Sequence, residues 1–245
     1  MTRSNAGHHA ESSRTGGGRR PFHSRARQSP KRWLALAVAA LAGMGIAPNA
    51  SAQTETLVFV RHGEKPAKGF GQLDCQGLNR AMALPAVIAA KFGKPDAVYA
   101  PNPSIKKMDR GVWYDYVRPL ATIEPTAIQF GLPVDTDYGY SQIEGLEQAL
   151  VAPEHAGKLI VTAWEHREIE DLVRNIMGKY GDASPNVPRW ESSDFDSMYV
   201  VKLDWSGQGQ QPHATFMLDH EGLDGRTTDC PCAALPDAPA GGASR

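Results

Sequence analysis

The stretch TLVFVRHGEKP, Thr56 to Pro66, opens as a run of apolar and β-branched residues and stops abruptly at Arg61, His62, Gly63 and Glu64. An apolar run without strict alternation is the pattern of a strand covered on both faces, which belongs to a parallel sheet between helices. A cation, an imidazole, a glycine and a carboxylate at its carboxyl end sit where ligands bind in open α/β sheets.

The pattern repeats along the chain. Strands are expected at 56–60, 96–100, 158–164, 197–203 and 213–218. Helices are expected between them. The first, over 75–93, places Leu78, Met82, Val87, Ile88 and Phe92 roughly on one face, with Pro85 bending it. The second, over 118–131, carries a proline beside its first turn and ends at Gly131. The third, over 167–181, sets Ile169, Leu172, Val173 and Ile176 at helical spacing. Strands alternating with helices imply an α/β fold: a three-layer α/β/α sandwich with a mostly parallel central sheet. No helix is evident between the last two strands, so they are expected to form a hairpin near the sheet edge.

The ends of the chain read differently. Lys31 and Arg32 precede an apolar run from Trp33 to Ala47, followed by the small residues Ala50 and Ala52. This is the pattern of a secretory signal peptide cut after Ala52, and the run falls short of the ~20 apolar residues of a membrane span. Residues 1–52 are therefore read as a basic, disordered leader plus signal peptide, residues 53–228 as one domain, and residues 229–245 as a loose Pro/Ala/Gly-rich tail. The expected location is periplasmic or secreted. The leader holds eight Lys/Arg against one Asp/Glu, so the rest of the chain carries a net charge of −8 within a total of −1. That balance disfavours nucleic acid and anionic membrane as partners of the mature form. Three cysteines remain, Cys75, Cys230 and Cys232, and an exported chain permits a bridge from Cys75 to one of the other two.

Two strands end in related chemistry: Arg61-His62-Gly63-Glu64 and Trp164-Glu165-His166-Arg167. If those strands are parallel neighbours, two imidazoles meet at one edge. Between them in sequence Arg118 begins a helix, with Thr122 four residues on. This order of Arg-His-Gly after an apolar strand, Arg-x-x-x-Thr, and a late strand-end His resembles the histidine phosphatase superfamily, the phosphoglycerate-mutase-like enzymes. LDCQGLNRA (73–81) and VYAPNP (98–103) resemble the family's first helix opening and second strand. The likeness runs from about Thr56 to Ile176.

The resemblance implies a phosphatase acting on phosphomonoesters through a phosphohistidine on His62, with His166 as its catalytic partner. Arg61 and Arg118 would bind phosphate through forked guanidinium donors. Gly63 would let the backbone approach the phosphate, and neither metal nor cofactor is implied. The residue types suit the chemistry, because a phosphoryl group in transfer spreads charge over oxygens that need fixed cations and N–H donors. A small phosphorylated substrate or a phosphoprotein is the expected partner.

Protonating the leaving group calls for an acid. The family takes it from a Glu between the second Arg and second His, or from an Asp after that His. Here Arg167 follows His166, leaving Glu165, Asp137 and Glu144 as candidates. Adjacent strand residues point to opposite faces, which counts against Glu165 unless the strand has ended before it. Arg110 rivals Arg118, but has no Thr four residues on. The segment between Pro103 and Arg118, with Lys106, Lys107, Trp113 and Tyr114, departs from the family spacing and is placed to border a pocket. A phosphate-binding protein without turnover, and a phosphomutase, are the alternatives.

Overall fold

The structure, a computed structural model, describes residues 53–182, 186–207 and 211–232. The leader and signal peptide expected over 1–52 lie outside the described residues, as does the chain after 232. No described helix is long and apolar enough to cross a membrane.

A six-stranded sheet organises the domain. Its strands are β1 (Thr54–Arg61), β2 (Ala97–Tyr99), β5 (Val134–Asp135), β6 (Leu159–Trp164), β7 (Ser197–Asp204) and β8 (His213–His220), in the order β5-β2-β6-β1-β7-β8. The pairs β5/β2, β2/β6 and β6/β1 are parallel, while β7 runs antiparallel to both β1 and β8. A separate antiparallel pair, β3 (Lys107–Asp109) and β4 (Val112–Tyr114), forms a small hairpin.

Helices cover both faces. Val58 and Val60 of β1 join Val98, Val161 and Ala163 under α1 (Cys75–Lys91) and α2 (Arg118–Phe130), contributing Leu84, Ile88, Ile123 and Ala127. Leu57 and Phe59 point the other way, toward α3 (Ile143–Leu150) and α4 (His166–Tyr180), with Leu146, Ile169, Leu172 and Ile176. Because β1 is buried on both faces, its run of apolar residues needs no polar alternation. Fully burying one such side chain is worth roughly 1.5–3 kcal/mol. The three-layer α/β/α sandwich expected from the sequence is the observed architecture.

Each expected strand and helix is present, with four additions: the β3/β4 hairpin, two-residue β5, α3 and a single 3-10 turn at Pro153–His155. The face expected of α1 needs correcting. Its buried residues are Gly77, Arg80, Ala81, Leu84 and Ile88, whereas Met82 is 61% exposed. The helix turns small residues and one arginine inward because it lies close against the loop after β1. The expected loose tail is likewise corrected in its first residues: Cys230 is disulfide-bonded to Cys75, and Asn79 donates to the carbonyls of Thr227 and Asp229. Cys232 is free and exposed.

Candidate active site

The carboxyl ends of β1 and β6 are level. Arg61 pairs with Trp164 in register, and the His62 amide donates to the Trp164 carbonyl at 3.0 Å. β6 ends there, so Glu165 is no longer a strand residue. It caps α4: its Oε2 accepts from the amides of Arg167 (2.9 Å) and Glu168 (3.2 Å). This cap puts His166 in the first turn of α4 at the same sheet edge as His62.

The ring of His62 is only 3% exposed. Its Nδ1 lies 2.8 Å from the Gly63 carbonyl oxygen, an atom that only accepts. Nδ1 therefore carries the proton, and in the neutral ring Nε2 keeps a free lone pair. Burial pushes the His62 pKa well below its ordinary value, and the charges of Arg118 and Arg61 push the same way against the Gly63 bond. A neutral imidazole at neutral pH follows.

Arg61 is held by the loop before β7. Its Nη1 donates to the carbonyls of Ser192 (3.0 Å) and Asp194, and its guanidinium lies 3.8 Å from the centre of the Phe195 ring. Burial lowers its pKa to about 10, so it remains a cation. Arg118 opens α2 and is 2% exposed, with Nη1 2.6 Å from Asp109 Oδ2 in β3. Lys65 meets the other oxygen of Asp109 at 3.2 Å. Those two cations hold the Asp109 carboxyl below its usual range against the effect of burial.

The Arg-x-x-x-Thr spacing has a local cause. Four residues make about one helical turn, so Thr122 stands over Arg118. Its hydroxyl donates to the Arg118 carbonyl and accepts from the Gly63 amide, both at 2.9 Å. Thr122 thus locks the loop after β1 to the start of α2.

Gly63 has a different reason for being glycine than an approach to phosphate. A Cβ on Gly63 would lie 2.9 Å from the Cα and carbonyl oxygen of Gly77, and one on Gly77 would lie 2.3 Å from the Glu64 carbonyl oxygen. The glycine pair lets α1 touch the loop, and the Gly63 amide is already spent on Thr122.

Glu165 departs from the expected role of acid. Burial raises its carboxyl, but His166, Lys107 and the Glu168 amide together bring it down to about 2. Its Oε1 is 2.9 Å from His166 Nδ1, an ion-pairing distance without hydrogen-bond alignment. Nε2 of His166 faces the Ser192 hydroxyl at 3.4 Å. Asp137 and Glu144 are exposed. Asp137 lines a hollow of about 390 Å³ along β2 and β5 that contains none of the residues around His62. Arg110 is exposed at the tip of the β3/β4 hairpin, which leaves Arg118 as the arginine beside His62.

Several neighbours of His62 carry no sequence motif. Tyr116 is 1% exposed and meets the His62 ring edge-on at 6.1 Å. Tyr140 stacks edge-on against Tyr116 at 5.6 Å, and Phe195 lies 6.2 Å from His62. Apart from these neighbours, Glu168 is half-buried in the first turn of α4 and has its carboxyl raised by burial, with Lys107 opposing and Glu165 and Asp171 adding. The available signal for Glu168 was its position two residues after His166. For Tyr116 and Asp109 there was none.

Arg61 Nε, Arg118 Nε and the Tyr116 hydroxyl, three buried donors around His62, have no acceptor among the described residues, and His166 Nδ1 at the same sheet edge is also without a hydrogen-bond partner. Buried donors are nearly always paired, so this grouping fits an anion's oxygens. No cluster of three or more His, Cys, Asp or Glu among the described residues is arranged to hold a metal ion.

No family model matches the chain, and no curated protein matches it. Solved structures do resemble it. A phosphoglycerate mutase from Plasmodium falciparum is 14% identical, with TM-score 0.44, over 67% of this chain and 89% of its own. A putative phosphohistidine phosphatase from Nakamurella multipartitia is 15% identical, with TM-score 0.44, over 69% and 97%. A mycobacterial glucosyl-3-phosphoglycerate phosphatase bound to inorganic phosphate is 15% identical, with TM-score 0.45, over 67% and 95%. At these identities and scores the likenesses assign no role to any residue. The chain is similar to phosphoglycerate-mutase-like and phosphohistidine phosphatase structures.

Proposed function

We propose that this protein is an exported, metal-independent phosphatase that hydrolyses phosphomonoesters through a phosphohistidine on His62. The observation that carries this reading is the state of His62: Nδ1 is committed to the Gly63 carbonyl, Nε2 is free, and three donors without acceptors stand around it.

The Nε2 lone pair attacks phosphorus, forming a P–N bond as the P–O bond to the leaving group breaks. Arg61 Nε, Arg118 Nε and the Tyr116 hydroxyl donate to the phosphoryl oxygens while charge builds there. The leaving oxygen needs a proton. Glu165 is held ionised, whereas Glu168, three residues further along in the first turn of α4, has its carboxyl raised by burial. Glu168 gives the proton and, as a carboxylate, then takes one from the attacking water. The P–N electron pair returns to Nε2, and phosphate leaves. His166, at ion-pairing distance from Glu165, stands beside the same phosphoryl group.

The test is phosphate release from a panel of phosphomonoesters by the chain from Gln53 onward, with chelator present and His62→Ala alongside. Release that resists chelator and vanishes in the variant supports the reading. Acid-labile, alkali-stable phosphate on the wild-type protein identifies the intermediate. The reading fails if the folded wild type releases phosphate from no ester. That result favours a phosphate-binding protein, the reading supported by the ionised state of Glu165. Transfer to a second acceptor in preference to water identifies a mutase. Export is tested by fractionating cells that express the full chain.

A further inference from the structure

Nine large apolar side chains stand exposed among the described residues, and five of them gather in one place: Phe70, Ile105, Met108, Val112 and Trp113. They belong to the β3/β4 hairpin, the residue run leading into it and the loop it packs against. Exposed apolar residues scattered singly mean little, but gathered ones mark a contact. Met108 and Trp113 are directly opposite in the hairpin, so both point outward, while the register on either side turns Lys107 toward Tyr140 and Asp109 toward Arg118. The loop after β1 lies against the same hairpin, with Phe70 edge-on to Tyr114 at 6.0 Å.

The backbone singles out this surface as well. Phe70 (φ 58°) and Arg110 (φ 52°) are the only non-glycine residues in the left-handed region among the described residues, and both are exposed here. That conformation is costly for a residue with a Cβ, so the two side chains serve something other than the turns themselves. The charge is local too. Lys68, Lys106 and Arg110 stand exposed among the apolar groups against one exposed carboxylate, Asp115, which is 3.9 Å from Lys106. The chain after the leader carries a net charge of −8, so an anionic surface is repelled by the domain at large and attracted only at this face. A two-stranded projection outside the main sheet, with an aromatic ring, aliphatic groups and basic side chains together, suits the boundary between lipid headgroups and acyl chains.

We infer that this face docks the protein on anionic lipid surfaces, with Met108 and Trp113 entering the interface and Lys68, Lys106 and Arg110 at the headgroups. The inference departs from what net charge alone suggests for the mature form, and it is independent of the phosphatase reading. Because the inner face of the same hairpin meets Tyr140 and Arg118, docking sets the His62 edge of the sheet beside the lipid.

The experiment uses the chain from Gln53 onward, which holds the whole sheet and its helices and leaves out the apolar run of the leader. Of its four tryptophans, Trp164 and Trp190 are buried and Trp205 is partly buried against Glu55, so Trp113, 56% exposed, reports the contact. The protein is titrated with vesicles of phosphatidylcholine alone and of equal parts phosphatidylcholine and phosphatidylglycerol, both with brominated acyl chains. Thermal melts establish the folding of every variant. Anionic vesicles are expected to bind at least about tenfold more tightly than neutral ones, since each basic residue at the surface contributes about fivefold, and to quench tryptophan emission. Trp113→Phe keeps the binding and loses the quenching. Met108→Asp weakens binding more than about tenfold, and so does the double variant Lys68→Gln/Lys106→Gln, which decides the matter if Met108→Asp does not fold. The inference is overturned if the folded wild type ignores anionic vesicles, or if both variants bind them as well as wild type does. It is also overturned if the protein ignores vesicles and forms dimers that Met108→Asp dissolves, a result that assigns the face to a second copy of the chain.

Discussion

Two buried arginine sites lie within the domain, and they are built in opposite ways. Arg80, fully buried on the inner face of α1, meets Glu64 at 2.8 Å, Glu221 at 2.7 Å, Asp224 at 2.9 Å and Asp196 at 3.4 Å. Its forked donors are saturated by the protein. Arg61 and Arg118 are almost as buried, yet each keeps an Nε without an acceptor. A saturated guanidinium holds a fold together, whereas a partly satisfied one is kept ready for something else. Glu64 lies next to Gly63, two residues from His62, yet belongs wholly to the first kind.

The sharpest way to break this contrast is at His62. His62→Ala is expected to reduce turnover roughly 10⁴-fold or more while the melting profile is retained. Phosphate release measured beside calorimetry decides it, and appreciable residual activity sinks the phosphohistidine route. The arginines come next. Arg118→Ala is expected to lower kcat/KM roughly 10²–10³-fold and to cost less stability than the loss of Arg80, because Lys65 still pairs with Asp109. Arg80→Met should do the reverse, costing about 3–5 kcal/mol of stability because buried carboxylates lose their counter-charge. Equal effects of the two variants on stability would erase the distinction.

The two carboxylates of α4 sharpen it further. Glu168→Gln is expected to slow hydrolysis of alkyl phosphates about 10²-fold and to spare nitrophenyl phosphate, whose leaving group needs no proton. Glu165→Gln should slow both esters to a similar degree, since it acts through His166. The smallest effect concerns Glu221. Burial raises its carboxyl to about 8, with Arg80 opposing and Asp196 and Glu64 adding. Its folded pKa thus exceeds the unfolded value of about 4.3, so its contribution is full below that value and is lost as pH rises toward 8. Glu221→Gln should flatten that decline and raise Tm at pH 8 by roughly 2–4 °C. An unchanged slope in a series of melts from pH 5 to 8 removes Glu221 as its source.

The legible parts of the molecule were those whose cause is local. An apolar run covered on both faces marks β1, and the spacing of Ile169, Leu172, Val173 and Ile176 marks the buried stripe of α4. Arg118 and Thr122 stand one helical turn apart, so their spacing survives as a motif. What stayed hidden depends on distant partners. Asp109 matters because a hairpin folds it onto Arg118, and nothing around it in sequence signals that contact. Arg80 sits on the inner face of α1, but only the meeting of four remote carboxylates makes that position tolerable. Glu165 reads as a proton donor beside a histidine until the strand end turns it into a helix cap, where two amides and an imidazole keep it ionised. Gly63 reads as a phosphate contact until Gly77 is found against it.

If the chain is exported as proposed, amino end leading, the bond between Cys75 and Cys230 sets an order of events. Cys75 emerges first, and its partner follows only after a further 155 residues. The start of α1 therefore reaches the far side as an unpartnered thiol, and Cys232 arrives beside the correct mate as a rival. Under that proposal, correct closure would be a late step of biogenesis that waits on the carboxyl-terminal cysteine.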